Sequence, residues 1–213
     1  MSVGNRTQAE TASSRGYTLV DALRPENLDI AWKQVKSNQG SAGIDGMEVG
    51  DFPAYMQANW EKLRSKLEDG SYKPSPVRSV SIPKDGGGRR PLGIPTVLDR
   101  VIQQAIAQVL TPLYDPTFSE HSHGFRPMRS AHDAIREMAK EGLGKGRKCH
   151  VVDCDLAKFF DTVDHQKLMG RLRQRTTDPD LLALILKYLK AGAISRKGCF
   201  EASLKGVPQG GPL

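Results

Sequence analysis

His150-Val151-Val152-Asp153-Cys154-Asp155-Leu156-Ala157-Lys158-Phe159-Phe160-Asp161-Thr162-Val163-Asp164-His165 is the stretch on which the reading of this chain turns. Its opening alternates and predicts a strand over His150 to Leu156. Val151, Asp153 and Asp155 share one face, and Val152, Cys154 and Leu156 share the other. Two carboxylates on one side of a strand are costly to bury without counter-charge, so a metal or a basic partner is implied. Mg²⁺ suits such a place, because it takes carboxylate oxygens together with substrate phosphates. A solvated strand end, with one Asp capping the next turn, is the other reading, and spacing alone leaves both open.

Upstream, the pattern alternates between helix and hairpin. A helix is predicted after Pro25, with Leu28, Ala31, Trp32 and Val35 on one face. The Gly-rich run Asn38 to Gly46 reads as a loop. A second helix begins near Asp51, a candidate N-cap, carries Met56, Trp60, Leu63 and Leu67, and stops at Gly70. Val77 to Pro83 alternates like a strand, Lys84-Asp85-Gly86-Gly87-Gly88-Arg89-Arg90 forms a turn, and Pro91 to Ile94 leads back. The result is a hairpin with a basic, glycine-rich tip. Thr96 with Asp99 caps a strongly apolar helix through Leu113, and Ser130 with Asp133 caps another whose apolar face is Ala131, Ala134, Ile135 and Met138.

Downstream, helices follow Asp164 and Asp178-Pro179, and Gly192 ends the second. A short hairpin turns at Gly198 before Gly206-Val207-Pro208-Gln209-Gly210-Gly211-Pro212-Leu213. The mixed order makes the class α+β, helix-rich with short antiparallel strands. Residues 1–18 are polar and aperiodic and are expected to be a disordered tail.

The chain has 213 residues, 38% hydrophobic and 26% charged, with a formal charge of +7. That balance fits a globular protein with a polyanionic partner, through phosphate neutralisation and counterion release. Three cysteines without metal-ligand spacing point to a reducing, cytoplasmic setting. No apolar run is long enough to span a bilayer and no signal-peptide core is visible, so neither membrane insertion nor export is expected.

Four blocks, in order, resemble those of reverse transcriptases, in the form carried by group II intron-encoded proteins. Asp155 to His165 is similar to motif A. Arg90-Pro91-Leu92-Gly93-Ile94-Pro95 is similar to a fingers motif. His123-Gly124-Phe125-Arg126-Pro127, with Arg129-Ser130-Ala131-His132, resembles the block that follows. Gly206 to Leu213 looks like the opening of motif B. The Gly-rich segment at Ile44-Asp45-Gly46 fits the extra N-terminal block of the intron enzymes. The resemblance runs from about residue 20 to 213 and implies fingers with an N-terminal extension over 19–148, then the first part of a palm over 149–213.

The resemblance also implies roles. Asp155 would bind catalytic Mg²⁺ with the carbonyl of Leu156, as two-metal phosphoryl transfer requires. Asp153 would stand behind it. Phe160 would lie under the sugar of the incoming nucleotide and exclude a 2′-hydroxyl, unless it is a core aromatic, as Phe159 is expected to be. Lys84 and Arg90 would clamp the triphosphate, one as a point charge and one as a fork. Gln209 would contact the nucleotide. Arg89 would meet template, and Arg126 and Arg129 would bind template phosphates or brace the fingers.

The family's next motif, Tyr-x-Asp-Asp, is absent. Asp178 and Asp180 are the only later aspartates, and helix capping accounts for them. The polypeptide alone is therefore expected not to polymerise, and a palm strand without neighbours is expected to self-associate or disorder near the C-terminus. Expected partners are group II intron RNA, a template RNA with DNA primer, and dNTP. The parent activity would be RNA-directed DNA polymerase. The alternative is an RNA-binding maturase module that holds intron RNA during splicing by shape and backbone contacts.

Overall fold

The computed structural model describes residues 17–83, 87–143, 150 and 152–212. The expected tail lies outside them as far as Gly16. Thr18 already belongs to a helix start, because its backbone N–H reaches Asp21 at 2.9 Å and its hydroxyl accepts from the Asp21 N–H. That capping box opens α1, Leu19–Ala22. Helix α2, Pro25–Ser37, buries Ala31 and Val35, and α3, Phe52–Glu68, buries Phe52, Leu63 and Leu67. Trp32 and Phe52 pack ring to ring at 4.7 Å. Asp51 does not cap α3 as expected. Its carboxylate takes the Glu48 N–H at 3.0 Å and closes a 3-10 turn, Val49–Asp51, one turn earlier.

Strands β1, Val77–Pro83, and β2, Arg89–Ile94, pair antiparallel, with Ile82 opposite Arg90 and Pro83 opposite Arg89 at the tip. Helix α4, Val97–Tyr114, follows at once and forms the centre of the core. Val97, Val101, Ile102, Ala105 and Ile106 on it are buried. Each of its buried Ile or Val side chains contributes about 1.5–3 kcal/mol. Helix α5 spans Ala131–Leu143, α6 Phe159–Thr162, α7 His165–Leu172 and α8 Pro179–Lys190. Strands β3, Ala193–Ile194, and β4, Phe200–Glu201, form the short hairpin turning at Gly198, whose φ is +79°.

The sheet order is β2-β1-β3-β4. Two pairings are antiparallel as expected, but β3 joins β1 in parallel, with Val77 opposite Ala193. The sheet is therefore mixed. Two compact units emerge, one of residues 1–110 with 158–213 and one of residues 111–157.

The first unit holds a buried carboxylate at its centre. Asp99 is 1% exposed. It accepts from Tyr72 at 2.7 Å, Tyr188 at 3.1 Å, the Thr96 hydroxyl at 2.7 Å and the Ser75 N–H at 3.2 Å. Burial pushes this carboxyl above the usual range despite those donors, and pushes both tyrosine hydroxyls up as well. The expected cap of α4 is thus also the knot joining the turn after α3 to α8. Asp178 acts similarly at α8. One oxygen accepts from Asp180 and Leu181, and the other takes the Leu19 N–H at 2.6 Å, tying the chain's start to α8.

In the second unit, the expected strand over His150 to Leu156 is missing. His150 and residues 152–156 are described and carry no strand, while Val151 lies outside the description. A strand exists only as part of a hydrogen-bonded ladder, and among the described residues no segment pairs with this one. Helix α5 forms where its spacing predicts, with Ser130 and Asp133 in a capping box at 2.6 Å. Its apolar face, however, points outward, with Ile135 and Met138 exposed. No helix among the described residues is long and apolar enough to cross a membrane.

Candidate nucleotide site

The opening of motif B is bonded to the motif A segment. Gly206 donates its N–H to the Val163 carbonyl at 2.8 Å, and Val207 donates to the Phe160 carbonyl at 2.8 Å. Gly206 sits at φ +82°, and a Cβ there would stand 2.8 Å from the Asp161 carbonyl and 2.9 Å from that of Phe160. Only glycine allows this approach. Two residues on, the Gln209 carbonyl accepts the Gly93 N–H at 2.8 Å. Three predicted blocks, those around Phe160, Gly93 and Gln209, therefore meet through backbone hydrogen bonds within one unit.

They border a cavity of about 270 Å³ lined by Leu92, Gly93, Asp161, Lys205, Pro208 and Gln209, among others. Glycine is again required at Gly93, where a Cβ would fall 2.6 Å from Val77 and 3.0 Å from Pro208. Phe160 and Phe159 stack edge to face at 5.6 Å, and both are substantially exposed, at 43% and 51%. Neither is a core aromatic, which corrects the expectation for Phe159. The α6 turn that carries them begins at Lys158, in the left-handed region, and presents both rings outward.

The basic hairpin tip is split. Lys84 lies outside the described residues. Arg89 folds back on its own strand partner, donating to the Ser81 hydroxyl at 2.9 Å and the Ser81 carbonyl at 2.5 Å. Arg90 is exposed, and its side chain makes no hydrogen bond or ion pair with the described residues. Its fork is free to meet an anion.

The metal candidates lie in the other unit. Asp153, Asp155 and Leu156 are all exposed, and Asp155 makes no hydrogen bond or ion pair among the described residues. No group of three or more His, Cys, Asp or Glu side chains among the described residues could hold a metal ion. The Asp155 carboxylate and the Leu156 carbonyl are hard oxygen donors of the kind Mg²⁺ takes, but they are fewer than a full protein site.

Arg126 folds inward on its own loop, and the exposed Arg129 bonds to the same loop. Arg126 donates to both Asp115 carboxylate oxygens, at 2.8 and 3.2 Å, and to the carbonyls of Asp115, Ser119 and Ser122. It also lies 5.6 Å over the Phe118 ring. The guanidinium beside Asp115 holds that carboxyl below its ordinary value. Arg129 donates to the Glu120 carbonyl at 3.1 Å. These contacts are all internal to the loop.

Sequence reasoning missed several participants. Arg78 donates to the Ala42 carbonyl at 3.0 and 2.6 Å, and Arg100 to the Ser41 carbonyl at 2.7 Å. The two arginines fix the Gly-rich loop to β1 and α4. Gly43 lets that loop close on Thr96, where a Cβ would stand 2.6 Å away. In the second unit Glu137 accepts from His121 and, at 2.6 Å, from His123, and both contacts lower its pKa. No local pattern announces partners this far apart in the chain.

Residues 82–213 match the family model described as reverse transcriptase (RNA-dependent DNA polymerase). The chain is 40% identical to Protein YkfC of Escherichia coli, over 89% of this chain and 51% of that protein. It is 36% identical to the group II intron-encoded protein LtrA of Lactococcus lactis, over 90% of this chain and 31% of that one. The chain thus spans about half or less of the length of these relatives. A solved structure, the Cas6-RT-Cas1--Cas2 complex, superposes with a TM-score of 0.58 over 92% of this chain and 20% of that chain, at 23% identity. That likeness is one of fold alone. The sequence matches support the group II intron type.

Proposed function

Because the chain belongs to the reverse transcriptase family, we propose that it supplies the nucleotide-handling half of a group II intron RNA-directed DNA polymerase. The observation that carries this is the meeting of Phe160, Gly93 and Gln209 through backbone bonds. In this reading the fingers run over 19–148 and the first part of the palm over 149–213. Gln209 and Phe160 frame the incoming dNTP, with the Phe160 ring against its sugar. Arg90 and Lys84 bind the triphosphate, and Arg89 lies beside the template. Arg126 and Arg129 hold the fingers loop in shape for the template phosphates.

Asp155 and the Leu156 carbonyl would contribute to a Mg²⁺ site. Bound there, the ion would activate the primer 3′-hydroxyl and offset charge on the transferring phosphate. One carboxylate position does not hold two ions in catalytic geometry, so this chain alone is expected not to extend a primer. The expected setting is the cytoplasm, with a primed RNA template as partner.

A second reading, a maturase module holding intron RNA, is favoured by one observation. Arg78 and Arg100 make a rigid platform of the Gly-rich loop by gripping its carbonyls.

One experiment tests both. The chain is titrated with structured group II intron RNA over a salt series, and primer extension on an RNA template with Mg²⁺ and dNTP is followed in the same samples. Salt-sensitive RNA binding without extension supports the proposal. Extension lost in Asp155→Ala would mean that carboxylates are supplied from elsewhere. Salt-insensitive or absent RNA binding would refute both readings.

A further inference from the structure

We propose that His165 is the positioning residue that locks the motif B turn onto motif A and so sets the Gln209 side of the nucleotide pocket. The inference rests on the nucleotide-site reading above. His165 is the first residue of α7 and is 7% exposed. Its Nε2 lies 2.7 Å from the Gly206 carbonyl oxygen. A carbonyl can only accept, so Nε2 carries the proton and donates, and the neutral ring suffices.

The histidine is anchored at the capped start of its helix. Asp164 caps α7 by accepting the Lys167 N–H at 3.0 Å, and Met169, one turn on, is buried. This rigidity matters because Gly206 is the pivot of the turn. Its N–H goes to Val163, its carbonyl to His165, and the next N–H goes to Phe160. Without the imidazole, the turn keeps two bonds to the motif A segment but loses the one that fixes the Gly206 peptide from its carbonyl side. Gln209 lies three residues beyond and is tied at its far side to Gly93. Its placement is therefore set by β2 at one end and by the His165 latch at the other. The histidine touches no substrate in this scheme and acts through the backbone.

The test compares His165→Phe, which keeps ring volume and removes the donor, with His165→Gln, whose amide nitrogen can reach the place of Nε2. Backbone amide exchange is measured along the whole chain, and dATP with Mg²⁺ is titrated into each protein. In His165→Phe, exchange at Gly206 and Val207 should rise about tenfold or more while the Asp99 network and α4 keep their protection. Affinity for dATP should fall several-fold. His165→Gln should recover most of both. Unchanged exchange at Gly206 and Val207 in His165→Phe would overturn the proposal. So would a uniform loss of protection that His165→Gln fails to rescue, since the histidine would then be filling space only. If the unsubstituted chain binds no dATP, the nucleotide-site reading falls, and the exchange comparison still decides the latch.

Discussion

Gly206–Gln209 and Asp153–Leu156 both hold residues that the sequence singles out, yet the fold treats them in opposite ways. The first is bonded into its unit by His165, Val163, Phe160 and Gly93. The second is exposed and carries no ladder. The contrast extends to the units that hold them. The first buries α4 and α8. The second is shaped by polar clamps, Arg126 on Asp115 and Glu137 on two histidines, while Phe125, Met128, Ile135 and Met138 face outward. Phe125 and Met128 even sit at positive φ, +55° and +58°, a conformation with a steric cost for such side chains. Packing therefore fixes Gly206–Gln209, and among the described residues it does not fix Asp153–Leu156.

The largest expected effect is in the first unit. Asp99→Ala would strand two tyrosine hydroxyls and the Thr96 cap in the core and should cost about 3 kcal/mol or more, read by chemical denaturation. A loss below about 1 kcal/mol would show that the knot is not what organises this unit. Next is Gly206→Ala, which forces a Cβ against the Phe160 and Asp161 carbonyls at positive φ and should cost about 2 kcal/mol. Its damage should be local, visible as faster exchange at Val207 and as weaker nucleotide binding.

Acid should separate the units. Asp115, Asp133 and Glu137 in the second unit are held below their ordinary values by Arg126, by the Ser130 hydroxyl and by the two histidines, respectively. Their stabilisation is present above the unfolded carboxylate pKa of about 4 and is lost as pH falls through the folded values. Asp99 has the opposite sign. Its pKa is raised by burial, so its contribution is greatest at low pH and declines as pH rises through the folded value. Asp21, Asp69 and Asp164 in the first unit are also held low by local hydrogen bonds, so on acidification exchange should rise in residues 111–143 and beside those three residues while the Asp99 network keeps its protection. Loosening of the Asp99 network at the same pH would remove the contrast.

The smallest expected effects are Asp155→Ala and Phe125→Ser. Both sites are exposed, and stability should move by less than about 0.5 kcal/mol. A larger loss at either would mean that its side chain is packed, and the contrast between the two regions would narrow.

Much of this was legible in the chain itself. Apolar spacing placed α2, α3, α4 and α8, and Thr96 with Asp99, Ser130 with Asp133, and Asp178 marked helix starts, because capping and periodicity act within a few residues. The hairpin tip and the order of the four blocks were equally local. The misreadings fall where a residue's state depends on distant partners. The alternation of His150 to Leu156 promised a strand, but alternation cannot supply a neighbour to pair with. Phe159 read as core and is exposed. Arg126 read as a ligand for phosphate or as a brace, and its partner Asp115, 11 positions upstream, was not visible from the local pattern.

The sequence by itself determined the longer helices, most of their caps, the glycine turns and the family, since these rest on short-range geometry and on motifs that survive as strings. Only the tertiary structure decided that His165 reaches Gly206 across 41 positions, that Asp99 gathers Tyr72 and Tyr188, and that β3 runs parallel to β1. Those are contacts between residues far apart in the chain, and a hydrogen bond of that kind has no signature until folding brings donor and acceptor within 3 Å of each other.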